Sequence, residues 1–215
     1  MSIEREIELT GQIGTIVKWQ AYGLKELSLD IPPTVYPPRE DTRLLDRTLA
    51  ELKCSVGMRL LEIGCGSGAV SIAAALRGWE VSACDVNPLA IAATIGNAAK
   101  VGIRWGSAIR EGGPGDIGDW ASKRGVDVIA WNLPYIEHDS GPTLGPMEDA
   151  ALIGQDESEK LLNAITANPR LLNSGGIVLM LHSSNRIGDE LCLNWRKAGW
   201  ATRNVSEAIV GDERL

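Results

Sequence analysis

Beyond residue 58, short apolar runs alternate with longer segments in which apolar residues recur at helical spacing. The runs at 59–63, 80–84, 103–108, 126–131 and 177–181 read as strands, the one at 103–108 only weakly. The segments at 69–77, 88–100, 157–172 and 186–198 read as helices, and the second starts with proline, whose missing N–H costs nothing in a first turn. A further strand is expected near 201–205, and any strand after residue 209 must be short. Such alternation is the signature of a mostly parallel, doubly wound α/β sheet covered by helices on both faces. The Gly-rich stretch EGGPGDIGD at 111–119 interrupts the pattern and reads as a loop or a frayed helix.

Ahead of this region, IGTIVKW (13–19) and LKELSLDI (24–31) read as paired strands about Ala21-Tyr22-Gly23. The prolines between 32 and 38 make a stiff connector, since each fixes its own φ and restrains the residue before it. Residues 40–53 read as a helix with Leu44, Leu45, Leu49 and Leu52 on one face. The expected organisation is an N-terminal extended segment, residues 1–33, packed on an α/β domain spanning 34–215.

Composition narrows the setting. A chain of 215 residues can bury a large core without staples. Its cysteines, Cys54, Cys65, Cys84 and Cys192, form no CxxC pair. No apolar run approaches the roughly 20 residues of a membrane span, and MSIEREIELT lacks the basic start and apolar centre of a signal peptide. The expectation is a reduced, metal-free, cytoplasmic protein with no membrane partner. Net charge is −7, and residues 125–159 hold no Lys or Arg but Asp127, Glu137, Asp139, Glu148, Asp149, Asp156, Glu157 and Glu159. A groove built to neutralise phosphates would have the opposite sign, so nucleic acid is the less favoured partner.

The chemistry gathers at the ends of the expected strands. Asn132-Leu133-Pro134-Tyr135 closes the run at 126–131, where open α/β sheets bind ligands. The Asn132 side-chain oxygen and the Leu133 carbonyl can accept both hydrogens of a planar NH2 group, Tyr135 can stack on its flat face, and Ile136 can wall the pocket. That is a site for alkylating an amide or exocyclic amine nitrogen. A strand-ending turn is the plainer reading of the same residues. The electrophile has a place in LEIGCGSG (61–68), where Gly64, Gly66 and Gly68 permit a tight turn and close ligand approach. Read as GxGxxA, the same turn passes for a nicotinamide-cofactor fingerprint. Glu62 beside the turn suits a cationic cosubstrate, and Asp85 at the end of the next strand suits ribose hydroxyls. S-adenosylmethionine, with a sulfonium, an ammonium and a ribose, satisfies both. His138 reads as a solvated loop residue rather than a base, and SGPTLGP (140–146) as a loop able to close over a target.

In this order VYPPREDTRLL, LEIGCGSGAVSIAAA, DVNPLAI and NLPY resemble the HemK-type class I methyltransferases that modify the glutamine of release factors, in particular their short archaeal and eukaryotic branch. The resemblance spans about residues 34 to 200 and implies a Rossmann-like domain using S-adenosylmethionine, with the GGQ glutamine of a peptide-chain release factor as acceptor. It places Thr42, Glu62, Gly64, Gly66, Gly68, Asp85, Val86 and Asn132 around the cosubstrate. Ser107 and Ala108 fall where the family has Asp and an apolar residue near the adenine, and Asp116 could compensate for the lost carboxylate. Leu133 replaces the commoner first proline of NPPY. Also implied is a small zinc-binding activator that adds to a sheet edge, for which the weak third strand is the candidate. Other readings stand beside this one: N-methylation of adenine N6 or guanine N2 in nucleic acid, which uses similar corners, methylation of a lysine or a small amine, and a non-catalytic nicotinamide-binding or pseudo-enzyme scaffold module.

Overall fold

The computed structural model describes residues 11–52, 56–121, 124–134, 157–182, 188–210 and 213–215. Its centre is a parallel five-stranded sheet of β3 (Arg59–Ile63), β4 (Glu80–Asp85), β5 (Ile109–Glu111), β6 (Val126–Asn132) and β7 (Leu172–Leu181), in the order β5-β4-β3-β6-β7. The chain moves outward from β3 to β5 and then crosses back to β6. The sheet therefore has a switch point between β3 and β6, where doubly wound sheets place their ligands.

Strand alternation divides the sheet's side chains between two helical layers. Leu60, Val128, Ala130, Leu179 and Leu181 pack on α1 (Glu40–Glu51) and α2 (Ala69–Leu76) through Leu45, Leu49, Val70 and Ala74. Leu61, Ile63, Ile129 and Trp131 face the other way, onto α5 (Glu157–Ala167) and α6 (Gly188–Lys197), meeting Leu161, Ile165, Leu191 and Trp195. The class I methyltransferase expectation of a Rossmann-like sheet with helices on both faces holds. A third layer is built by the hairpin of β1 (Thr15–Trp19) and β2 (Leu27–Ile31), whose Trp19, Leu29 and Ile31 cover Ile72 and Ala73 of α2 and Ala90 and Ala98 of α3 (Pro88–Lys100). Buried Asn97 stitches this layer: its Oδ1 accepts from Asp30 N–H at 2.8 Å, while its Nδ2 donates to the carbonyls of Asp30 and Ser67, both at 3.0 Å.

Four elements depart from the sequence reading. The third parallel strand is Ile109–Glu111, not 103–108: Gly106 takes a left-handed φ of 54°, residues Gly106–Ala108 make a 3-10 turn, and within the strand only Ile109 is buried. Helix α5 ends at Ala167 instead of 172 because Pro169 follows Asn168, and a residue before proline resists the helical region. Strand β7 begins at Leu172, its register against β6 jumping from Val126↔Leu172 to Val128↔Ile177 so that the Asn173–Gly176 turn sits within it as an irregularity. No strand forms at 201–205; the last paired residues are a short antiparallel hairpin of β8 (Ile209–Val210) and β9 (Glu213–Arg214). The loop expected at 111–119 is bounded by a four-residue helix, α4 (Ile117–Trp120).

Candidate active site

In a parallel sheet all carboxyl ends share one rim. Above it, at the switch point, lies a cavity of about 480 Å³. Gly64 and Gly66 after β3, Asp85 to Asn87 after β4, residues 112–116 after β5 and Trp131 to Pro134 at the end of β6 all contribute to its walls. Thr34 to Tyr36 and Asp41 close one side, with Glu157 and Lys160 of α5 at the mouth.

The first turn is shaped by its glycines. Gly64 (φ 69°) and Gly66 (φ 54°) occupy left-handed backbone, and a side chain at either would be strained. The N–H groups of Gly64 and Cys65 both donate to the Cys84 carbonyl, at 2.8 and 3.0 Å, which ties this turn to the end of β4. Asp85 completes the tie: Oδ2 accepts from Gly66 N–H at 2.8 Å and Oδ1 from Asn87 N–H at 2.9 Å. Val86 N–H also donates to it; a carboxylate has about four acceptor positions, so about one remains for a ligand's hydroxyl. Burial pushes the Asp85 carboxyl above its ordinary range despite these bonds. Asn87 caps α3 by accepting from Leu89 N–H at 2.9 Å and is held from behind by the Thr34 carbonyl, which its Nδ2 reaches at 2.9 Å.

Beside Asp85, Val86 is 42% exposed although apolar, and it faces the cavity. The loop at 112–116 stands opposite, tied down by Gly112 N–H donating to the Asp85 carbonyl at 3.0 Å. A Cβ built on Gly113 would lie 3.4 Å from Val86 Cγ1, so this residue's lack of a side chain keeps the slot open. Asp116 lies on the cavity wall.

Several expected site residues lie elsewhere. Ser107 and Ala108 precede β5 rather than follow it, which puts them at the end of the strand opposite the rim. The missed register of one weak strand is the cause. Gly68 caps α2 at φ 83°, and a Cβ there would meet Thr94 at 3.0 Å; it is required for helix packing, not for the cavity wall. Glu62 is 4% exposed and lies beneath the turn. It has the parity of Leu60, so it points into the α2 layer, where the Ser71 hydroxyl donates to its Oε2. Burial drives its carboxyl up to about 8. Instead of offering a negative charge to a cation on the rim, it lies under the floor, where burial favours its neutral form. Thr42 is absent from the wall as well: its hydroxyl accepts from Arg39 N–H at 3.2 Å and closes the first turn of α1. Tyr135, Ile136, His138 and residues 140–146 lie outside the described residues.

Asn132 has the parity of Val128 and Ala130, which turns it toward the N-terminus of α1. There its Nδ2 donates to Asp41 Oδ2 at 2.9 Å. The same oxygen accepts from the Tyr36 hydroxyl at 3.1 Å, and Oδ1 accepts from Thr42 N–H and the Thr42 hydroxyl at 2.5 and 3.1 Å. Asp41 is 3% exposed. The other corner of the Asn132 amide, Oδ1, is buried and has no hydrogen-bond partner among the described residues. A buried acceptor left unpaired costs about 1–3 kcal/mol, and Asn132 is one of the residues that line the cavity. Asp41 escaped the sequence reading although it adjoins Thr42. Its signal was an acid in the first turn of a helix, which normally marks only the helix dipole.

Comparison with known proteins agrees with this geometry. A family model for ribosomal protein L11 methyltransferase (PrmA) matches residues 43–133. The release factor glutamine methyltransferase of Salmonella typhimurium is 30% identical over 212 residues, covering 90% of this chain and 72% of that protein. That of Bordetella pertussis is 30% identical over 197 residues, covering 86% and 70%. Among solved structures, a ribosomal protein L11 methylase from Lactobacillus delbrueckii subsp. bulgaricus superposes with a TM-score of 0.57 at 20% identity, over 86% of this chain and 80% of that one, a likeness of fold alone. The chain belongs to the release factor glutamine methyltransferase family.

Proposed function

We propose that the protein is an S-adenosylmethionine-dependent N-methyltransferase acting on the side-chain amide of a glutamine in a peptide-chain release factor, at the GGQ motif. The observation that carries the reading is the buried, unpaired Oδ1 of Asn132, a residue that lines the cavity and whose oxygen has no donor among the described residues. A carboxamide brings two N–H donors in one plane. Asn132 Oδ1 and the neighbouring Leu133 carbonyl would take one each, and Pro134 keeps Leu133 extended.

The residues of the opposite wall fit the cosubstrate. Asp85 has an acceptor position left for a ribose hydroxyl, Gly64 and Gly66 allow close backbone approach, and Val86 with Gly113 bounds an apolar slot suited to a purine. S-adenosylmethionine supplies a methyl group on a positively charged sulfur. The chain's part is to hold the weakly nucleophilic amide nitrogen in line with it, and proximity of this kind accounts for much of the rate. As the nitrogen gains positive character, the acceptors of Asn132 and Leu133 bind its hydrogens more strongly, which stabilises the transition state. The product nitrogen then gives up a proton to water, so no side-chain base is needed.

A small zinc-binding activator and a cytoplasmic setting belong to the same proposal. Support for the activator comes from the β5 edge, unpaired among the described residues, beside which Ile95 of α3 and Val101, just past its end, are 43% and 37% exposed. The test is transfer of labelled methyl to release factor, stripped tRNA and duplex DNA in parallel. Label should enter the release factor alone, and Asn132→Ala should abolish transfer while cosubstrate binding persists. Label in nucleic acid would move the assignment to base methylation.

A further inference from the structure

We infer that Asp41 is a positioning residue whose carboxylate decides which corner of the Asn132 amide is presented to the methyl acceptor. The inference rests on Asn132 being the residue that grips the acceptor's NH2. An asparagine side chain has two corners of nearly equal size, one a donor and one an acceptor, and the end of a strand does not distinguish them. Asp41 does. An ionised carboxylate only accepts, so its Oδ2, 2.9 Å from Asn132 Nδ2, tolerates the NH2 corner and rejects the oxygen. Oδ1 of Asp41 cannot turn to this task, because the Thr42 N–H and hydroxyl donate to it at 2.5 and 3.1 Å. The outcome is the arrangement described above: Nδ2 engaged and Oδ1 left unpaired.

Substitution Asp41→Asn tests this because it reverses the polarity with little change of shape. Thr42 still requires an acceptor at the Oδ1 position, so the new amide's oxygen settles there and its NH2 takes the Oδ2 position. Asn132 then faces a donor and turns over, bringing its own NH2 to where the substrate's NH2 must bind. The Tyr36 hydroxyl changes from donor to acceptor. Expected is a fall in kcat of about 100-fold, the range for losing a fixed transition-state hydrogen bond, with cosubstrate affinity by calorimetry within about 3-fold of wild type. Asp41→Ala should be less harmful than Asp41→Asn, since it removes the selection without inverting it. A merely structural role predicts the reverse order, because alanine leaves a hole. The double variant Asp41→Asn/Asn132→Asp restores the pairing: the amide at 41 donates to the carboxylate at 132, whose other oxygen is again an acceptor. Its kcat should exceed that of Asp41→Asn by at least about 10-fold.

The inference is overturned if Asp41→Asn retains wild-type kcat, if alanine is the more damaging change, or if the double variant shows no recovery. It is also overturned if cosubstrate affinity falls in step with the rate, which would make Asp41 a direct ligand. Should Asp41→Asn not fold, the double variant, with every hydrogen bond remade, and Asp41→Ala carry the comparison against Asn132→Asp alone. Full activity of Asn132→Ala would remove the underlying acceptor reading; an inactive Asn132→Ala with a fully active Asp41→Asn removes only the positioning role.

Discussion

Alkaline pH should weaken this fold through one side chain. Burial beneath the β3 turn raises the Glu62 carboxyl to about 8, with the charges of Asp85 and Asp46 adding to the effect and the Ser71 hydrogen bond opposing it. In the unfolded chain the same group titrates near 4.5. The folded state therefore keeps a proton that the unfolded state has already lost. Glu62's contribution to stability is complete below about pH 4.5 and is lost as the pH climbs through 8. One unit of pKa difference corresponds to about 1.4 kcal/mol, so from about pH 5.5 to about pH 8.5 the group should remove on the order of 3 kcal/mol. Glu62→Gln has the same shape, offers Ser71 the same acceptor and has no charge to suppress. Urea unfolding of both proteins across this interval should show the glutamine variant gaining about 3 kcal/mol on wild type as the pH rises. A difference between the two that stays constant within about 0.5 kcal/mol would refute a protonated Glu62, and with it the account of why this acid lies under the site.

Three further outcomes follow from the packing. Asp85→Asn replaces an acceptor of three backbone N–H groups with a part-donor and should weaken cosubstrate binding at least about 10-fold by calorimetry, the scale of a charge-assisted hydrogen bond; unchanged affinity would remove Asp85 from the ribose role. Gly68→Ala forces a side chain into left-handed backbone and against Thr94 at 3.0 Å, so a stability loss of about 1–3 kcal/mol is expected, and a neutral result would mean that α2 and α3 can separate without cost. Trp19→Ala empties the fully buried centre of the hairpin layer and should cost about 3–5 kcal/mol in urea unfolding. A loss under about 1 kcal/mol would show that the hairpin contributes little to the domain.

Much of this protein is legible in its sequence because local rules suffice for it. The α3 helix from Pro88 to Lys100 and the β3 strand from Arg59 to Ile63 have the bounds that periodicity and proline placement dictate. Asn132, Asp85 and the glycines at 64 and 66 were identified by chemistry that each residue has wherever it sits at a strand end, and the sheet gathers them around one cavity. The third strand is misplaced for a local reason. In the 103–111 region only Ile109 is fully buried, while Ile103 and Trp105 pack against the core from outside the strand, so the apolar pattern does not set the strand's register.

What only the tertiary structure decides is direction and partnership. Glu62 reads as a rim carboxylate until β3 is placed in the sheet, when the parity of Leu60 sends it under the floor to Ser71. Asn132 and Asp41 are 91 residues apart, and no local rule pairs them. Crossing from β5 back to β6 brings the end of that strand under the first turn of α1, and the carboxylate found there determines which atom of the asparagine is left for a ligand. Residue type is a property of the chain, whereas the corner of a side chain that remains unpaired depends on neighbours that only long-range folding supplies.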